Sequence, residues 1–91
     1  MRIIRKSIRF TGLVQGVGFR YRAIRGAEAV GATGWVRNEY DGSVTMEIQG
    51  TERQIEDVVS MIGQGRFVQI DTMDIREIDP DLGERSFKAV Y

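Results

Sequence analysis

The segment VQGVGFRYR, residues 14–22, holds two closely spaced glycines followed by an arginine. Glycine tolerates positive φ and lacks a Cβ, so Gly16 and Gly18 allow successive backbone N–H groups to point into one concavity. A helix starting there would add partial positive charge, and Arg20 could offer two N–H donors to phosphate oxygens. The pattern indicates either a cradle for a phosphate monoester or anhydride, or a plain β–α connection with Arg20 on the surface. The Gly-Lys-Ser/Thr ending of a nucleotide-binding P-loop is missing.

The composition excludes several kinds of catalysis. The 91 residues include neither cysteine nor histidine. A thiolate nucleophile, a phosphohistidine, an imidazole acid–base catalyst and a zinc site of the usual nitrogen and sulfur ligands are therefore impossible within this chain. Any chemistry must rely on Arg, Lys, carboxylates, hydroxyls, amides or backbone N–H groups.

Charge is distributed unevenly along a chain whose net charge is zero. Residues 1–27 carry seven basic side chains and no acid, whereas the remainder carries six basic side chains and thirteen acids. This asymmetry is compatible with an anionic ligand near the N-terminal third. It is equally compatible with a basic edge that simply faces an acidic one in the fold.

Hydrophobic periodicity predicts the elements that must position these residues. Strands are predicted at SIRFTGLV (7–14), TGWVRN (33–38), SVTMEIQ (43–49), 68–78 and SFKAVY (86–91). The first helix should follow the glycine loop and end at Gly31, and the second should begin at a Thr51/Gln54 capping box and end at Gly63. Asp41-Gly42 predicts a hairpin, and a change in apolar parity predicts a bulge near Asp71–Thr72.

The resulting order is βαββαβ with a short extra C-terminal strand. Placing two helices on one face of a mainly antiparallel sheet gives the ferredoxin-like α/β sandwich, an α+β fold, and we expect one domain over residues 1–91. That fold hosts many functions, so the function must be argued from the site.

Asn38 is a second polar candidate. It shares parity with Val36 and closes the second strand just before the hairpin turn. Asparagine at such a position is commonly a turn former whose side chain bonds nearby backbone, so its position alone does not indicate a function.

Two segments together resemble the acylphosphatase family. GLVQGVGFR, residues 12–20, is similar to the family's first signature, and GWVRNEYDGSVTMEIQG, residues 34–50, is similar to its second. Each anchor position is filled, and the spacing of the motifs, the element order and the length fit the whole chain. Departures are small: Val30 and Ala32 replace larger leucines, and Gly18 occupies a variable position.

The resemblance implies an enzyme that hydrolyses acyl phosphates to a carboxylate and inorganic phosphate, without metal, cofactor or covalent intermediate. The family's catalytic residues correspond to Arg20 as phosphate holder and Asn38 as holder of the attacking water. The family's phosphate-binding backbone N–H groups correspond to Gln15, Gly16, Val17, Gly18, Phe19 and Arg20. Arg22 and Arg37 would be solvated residues flanking the site.

Two other functions compete with this interpretation. Ferredoxin-like sheets also bind RNA, but the sequence lacks the aromatic signature of RNA-recognition domains, and we expect no nucleic-acid partner. A catalytically weak phosphate- or carbamoyl-phosphate-binding domain is the alternative. With no apparent signal sequence or membrane-spanning segment, we expect a cytoplasmic monomer whose partner is a small acyl phosphate.

Overall fold

The computed structural model describes residues 2–91. Five strands and two helices follow in the predicted order. The strands are β1 (Ile4–Leu13), β2 (Thr33–Asn38), β3 (Val44–Gly50), β4 (Gln69–Ile78) and β5 (Phe87–Ala89), and the helices are α1 (Phe19–Val30) and α2 (Glu52–Gly63). Within residues 2–91, no helix is long and apolar enough to cross a membrane.

The strands form one sheet in the order β4-β1-β3-β2-β5. All neighbouring pairs are antiparallel except β2 and β5, which run parallel. The two helices pack against each other over the sheet, so the expected ferredoxin-like βαββαβ fold with a short extra strand is confirmed. Because β3 lies between β1 and β2, it connects the strand that precedes the glycine loop to the strand that ends at Asn38.

The core lies between the sheet and the helices. Alternate side chains of β1 and β3 point inward, as the period of two in a half-buried strand requires. The fully buried large side chains include Ile8, Phe10, Phe19, Val36, Met46, Ile48, Val58 and Ile62. The rings of Phe10 and Phe19 meet edge-to-face with centroids 4.8 Å apart, which fastens the start of α1 to β1.

Both helices begin and end close to the predicted residues. Gly31 ends α1 in the left-handed conformation, and its N–H donates to Ala27 O at 2.8 Å. Thr51 and Gln54 form the predicted capping box at the start of α2. The second helix includes Gly63 and is capped by Gln64, one residue beyond the predicted end.

The predicted bulge occurs in β4. Thr11 pairs with Thr72 and the next β1 residue, Gly12, pairs with Ile70, so Asp71 is the extra residue. The final strand is shorter than the predicted span, and β1 begins three residues earlier than predicted.

A buried arginine joins the sheet to the segment between β4 and β5. The Arg5 side chain is only 4% exposed and donates to Glu47 at 3.0 Å and to both carboxylate oxygens of Glu84 at 2.8 and 3.2 Å. It also donates to Gln49, which in turn bonds the backbone of Asp81. These bonds fix the segment that leads into β5.

Candidate active site

The loop between β1 and α1 is held at both ends by buried apolar residues. Val14 and Phe19 are 1% and 2% exposed. Between them, Gly16 and Gly18 adopt positive φ of 72° and 84°, a region that residues with a Cβ enter only with strain. The two predicted glycines therefore give the loop its shape.

The backbone N–H groups of this loop have no acceptors in the part of the chain that the structure describes. Among residues 2–91, none of the N–H groups of residues 15–20 donates to a backbone or side-chain oxygen. Gly18 caps α1 without a side-chain hydrogen bond, and the first turn carries no acid. Unpaired N–H groups at the positive end of a helix dipole favour an anion.

The Gln15 side chain anchors the loop to the β2–β3 hairpin. Its Nε2 donates to Glu39 O at 2.7 Å and to Ser43 O at 2.8 Å. The resemblance to the family predicted that the Gln15 backbone N–H belongs to the phosphate cradle. The structure adds these two hydrogen bonds of its side chain. The bonds fix the distance between the loop and the end of β2.

Asn38 lies at the end of β2 with an unsatisfied acceptor. Its Oδ1 is buried and has no hydrogen-bond partner among residues 2–91. Buried polar atoms in folded proteins are nearly always paired, and an unpaired one costs about 1–3 kcal/mol. The Asn38 side chain lines a cleft, so its amide is placed to hydrogen-bond a ligand or a water there.

Arg20 and Asn38 lie on one cleft of about 190 Å³. The cleft is lined by Val14, Gly16, Gly18, Phe19, Arg20, Tyr21 and Asn38. The fold thus brings together five of the seven residues predicted for the site, although they come from a loop, a helix and a strand. Gln15 and Val17, the other two, are not among the lining residues.

Arg20 is available for an anionic ligand. Among residues 2–91 its guanidinium forms no ion pair, although it sits one residue into α1 where the helix dipole disfavours a cation. The guanidinium lies 5.3 Å from the centre of the Tyr91 ring. Sequence analysis did not identify Tyr91, because its approach to Arg20 depends on the parallel pairing of β5 with β2.

The two hairpin carboxylates are engaged elsewhere. Asp41 accepts from the Ser43 hydroxyl at 2.6 Å, from Ser43 N–H at 2.9 Å and from Arg9 at 2.8 Å, and these bonds hold its pKa well below the usual value. A hydrogen bond from Thr45, followed by one from Arg37, lowers the pKa of Glu39. Both groups are therefore ionised at neutral pH. Neither lines the cleft, so they form no acid–base pair there.

Arg22 and Arg37 differ in their surroundings. Arg37 pairs with Glu39 at 3.0 Å and stacks on the Trp35 ring. Arg22 is not a freely solvated residue, because its side chain is half-buried and donates to Met61 O at 2.9 Å.

Comparison with known proteins identifies close relatives over the whole chain. The family profile for Acylphosphatase matches residues 6–89. The acylphosphatase of Oceanobacillus iheyensis is 36% identical, with 100% of both chains covered. That of Clostridium acetobutylicum is 40% identical over 92% of this chain and 93% of its own.

Solved structures give the same result. The crystal structure of acylphosphatase from Bacillus subtilis superposes with a TM-score of 0.88 and 31% identity, covering 97% of this chain and 99% of that one. A full-length HypF in a phosphate- and nucleotide-bound form matches with a TM-score of 0.87 and 29% identity. That match covers 99% of this chain but 12% of HypF.

Proposed function

Since the chain belongs to the acylphosphatase family, we propose that it hydrolyses small acyl phosphates by direct attack of a water held by Asn38 on a phosphoryl group held by Arg20 and the loop. This activity is supported by relatives that match most of the chain and are named acylphosphatases. The residue roles rest on the geometry of the cleft. We also propose that residues 1–91 act as one domain.

The loop and Arg20 are suited to hold the phosphoryl oxygens. The N–H groups of residues 15–20 lack acceptors among residues 2–91, and the Arg20 guanidinium offers a planar fork that fits two oxygens. Because these donors are fixed before the substrate arrives, they stabilise charge in the transition state without reorganising. Positioning and charge stabilisation are the main contributions in phosphoryl transfer generally.

The observation that carries the proposed mechanism is the buried, unpaired Oδ1 of Asn38. A small rotation of the Asn38 side chain, which lines the cleft, would bring this atom to a water. The water would then donate one O–H to Oδ1 and direct an oxygen lone pair toward phosphorus. The amide side chain cannot act as a strong base. It therefore serves to hold the water in a geometry suited to attack.

The reaction balances without a protein acid or base. The water oxygen forms a bond to phosphorus as the bond between phosphorus and the acyl oxygen breaks. The bonding electrons leave on the carboxylate, which is a weak base and needs no proton. One proton of the water passes to a phosphoryl oxygen, so the products are a carboxylate and inorganic phosphate.

We would test this with benzoyl phosphate hydrolysis in the presence of EDTA. Wild type should turn over with the chelator present. Asn38→Ala should lose about 100-fold or more in kcat while still binding inorganic phosphate, as loss of a preorganised polar group typically does. Arg20→Ala should lose more, because phosphate binding is lost as well, and Arg20→Lys should restore only part, since an ammonium lacks the planar fork.

Arg53→Ala is the matched control, because it removes an exposed cation on α2 away from the cleft. It should leave turnover within about twofold of wild type. Full activity in either Asn38→Ala or Arg20→Ala would refute the assigned roles.

A second candidate is a domain that binds phosphate with little turnover. The match to one segment of HypF favours it, because that protein was solved in a phosphate-bound form. Phosphate binding by the wild type without hydrolysis of benzoyl or carbamoyl phosphate would support this candidate and refute the first.

A further inference from the structure

A second, larger groove begins where the cleft ends. It has a volume of about 420 Å³ and shares Gly18 and Tyr21 with the cleft. On α1 it is bordered by Tyr21, Arg22, Arg25 and Gly26, and on the side of α2 by Met61 and Gln64. Since these α1 residues recur at spacings of three and four, the groove follows one face of the helix away from the loop.

The groove is basic, and its lining in the described part of the chain includes no acidic side chain. Among residues 2–91, neither Arg22 nor Arg25 forms an ion pair, and no carboxylate lines the groove. The chain as a whole carries thirteen acids for thirteen basic residues, so the excess of positive charge in the groove is a local feature. It favours an anionic ligand.

The two arginines are held differently. Arg22 Nη1 donates to Met61 O at 2.9 Å, and the arginine stem fits closely beside Gly65, where a Cβ would lie 2.8 Å from Nε. The guanidinium carbon of Arg25 lies 5.8 Å from the centre of the Tyr21 ring. Its Nη1 lies 3.4 Å from the Tyr21 hydroxyl oxygen. Arg22 therefore forms a fixed wall, whereas Arg25 has most of its N–H donors free for a ligand.

The distance from the phosphate cradle sets the length of that ligand. Arg22 and Arg25 lie four and seven residues beyond Gly18, which is about 6 and 10 Å along the helix axis. Side chains on a helix lean toward its N-terminus, which brings both guanidiniums nearer the loop. A chain of three or four carbons from the phosphoryl group spans this distance.

We propose that this groove binds the acyl portion of the substrate and selects acyl phosphates whose acyl chain ends in a second anionic group, carboxylate or phosphate. The Met61 side chain and the Tyr21 ring contact the carbon chain, and Arg25 donates to the anionic end. This inference rests on the proposed function, because it assigns the leaving group of that reaction.

The test compares three acyl phosphates of similar length. Succinyl phosphate ends in a carboxylate, 3-phosphonopropionyl phosphate ends in a phosphonate, and butyryl phosphate ends in a methyl group. We would measure kcat/KM for each at low ionic strength in wild type, Arg25→Gln, Arg22→Gln and Arg53→Gln. The readout is the kcat/KM for an anionic substrate divided by the kcat/KM for the neutral one. An inactive, unfolded fraction of a preparation lowers both values equally and so does not change this ratio.

Wild type should prefer an anionic substrate by about tenfold or more, the factor expected of a charge-assisted hydrogen bond at a partly exposed site. The ratio should fall to about two or less in Arg25→Gln, mainly through KM. Arg22→Gln should lower it as well. Arg53→Gln, which removes the same charge elsewhere, should leave it unchanged. The anionic substrate with the larger ratio identifies the end group.

Three results would overturn the inference. A wild type that hydrolyses butyryl phosphate as well as the anionic substrates shows that the groove does not select charge, while the proposed function stands. An equal loss of preference in Arg53→Gln and Arg25→Gln assigns the effect to overall charge. Hydrolysis of none of the three substrates refutes the proposed function and the inference together.

Discussion

Replacing Asn38 with leucine should separate stability from activity. Leucine has nearly the shape of asparagine and carries no polar atoms. In the folded protein the Asn38 Oδ1 is buried and unpaired among residues 2–91. The substitution therefore breaks no hydrogen bond to this oxygen within the described chain. It also replaces a residue that strands disfavour with one that they tolerate better.

The two effects have opposite signs. A buried polar atom without a partner destabilises a fold by about 1–3 kcal/mol. A water bound to Oδ1 recovers part of this, so the free energy of unfolding should rise by about 1 kcal/mol in Asn38→Leu. Loss of the group that positions the water should raise the activation barrier by about 3–4 kcal/mol, a fall in kcat of more than 100-fold.

Urea denaturation and benzoyl phosphate hydrolysis on the same preparations measure both effects. Inorganic phosphate should still raise the unfolding midpoint of Asn38→Leu, because Arg20 and the loop are intact. The reasoning would be refuted by a variant that is less stable than wild type by more than about 1 kcal/mol, or by one that retains its kcat. The first result would give Asn38 a structural role, and the second would remove it from the reaction.

Three further predictions concern the surroundings of the site. Arg5→Met should lower the free energy of unfolding by about 3 kcal/mol or more in urea denaturation, because Glu47 and Glu84 would lose a buried partner; an unchanged midpoint would show that these ion pairs add nothing to stability. Hydrogen bonds from Ser43 and then Arg9 lower the pKa of Asp41 in the folded protein. The stability that these bonds give to the fold is complete above the unfolded-state pKa of about 3.8 and is lost as the pH falls below it. The urea midpoint should therefore drop less between about pH 5 and pH 2 in Asp41→Asn than in wild type, and parallel profiles would contradict this. Tyr91→Ala should raise KM for benzoyl phosphate about two- to fivefold by freeing the Arg20 guanidinium, whereas Tyr91→Phe, which keeps the ring, should match wild type; equal KM values in all three proteins would show that the contact does not position Arg20.

Local signals in the sequence were sufficient for most of the fold. The Thr51/Gln54 box, the Asp41-Gly42 turn and Gly31 each specify a boundary through the chemistry of one or two residues, and each is found where predicted. The bulge at Asp71 was visible because an inserted residue reverses which face the apolar side chains occupy.

The remaining features depend on contacts between distant residues. The start of β1 was missed because Lys6 shares the inward parity of Ile4 and Ile8 and interrupts their apolar alternation. In the structure Lys6 pairs with Glu52 on α2, a contact that only the assembled fold supplies. The tie from Gln15 to the hairpin and the contact of Tyr91 with Arg20 likewise need the assembled sheet. The predicted site residues include five of the residues that line the cleft, but the motifs did not predict the buried state of Asn38 Oδ1.

The position of β3 between β1 and β2 has a consequence for refolding kinetics. Arg20 and Asn38 are only eighteen positions apart, yet the strands that place them are not neighbours in the sheet. A folding intermediate that contained only β1, α1 and β2 would hold both side chains without the strand that sets their separation. The pairing of β3 with β1 joins residues that are far apart in the sequence, and such long-range pairing forms more slowly than local helical contacts. The return of activity after dilution from denaturant should therefore report the completed central sheet, and it should lag behind the return of helical circular dichroism.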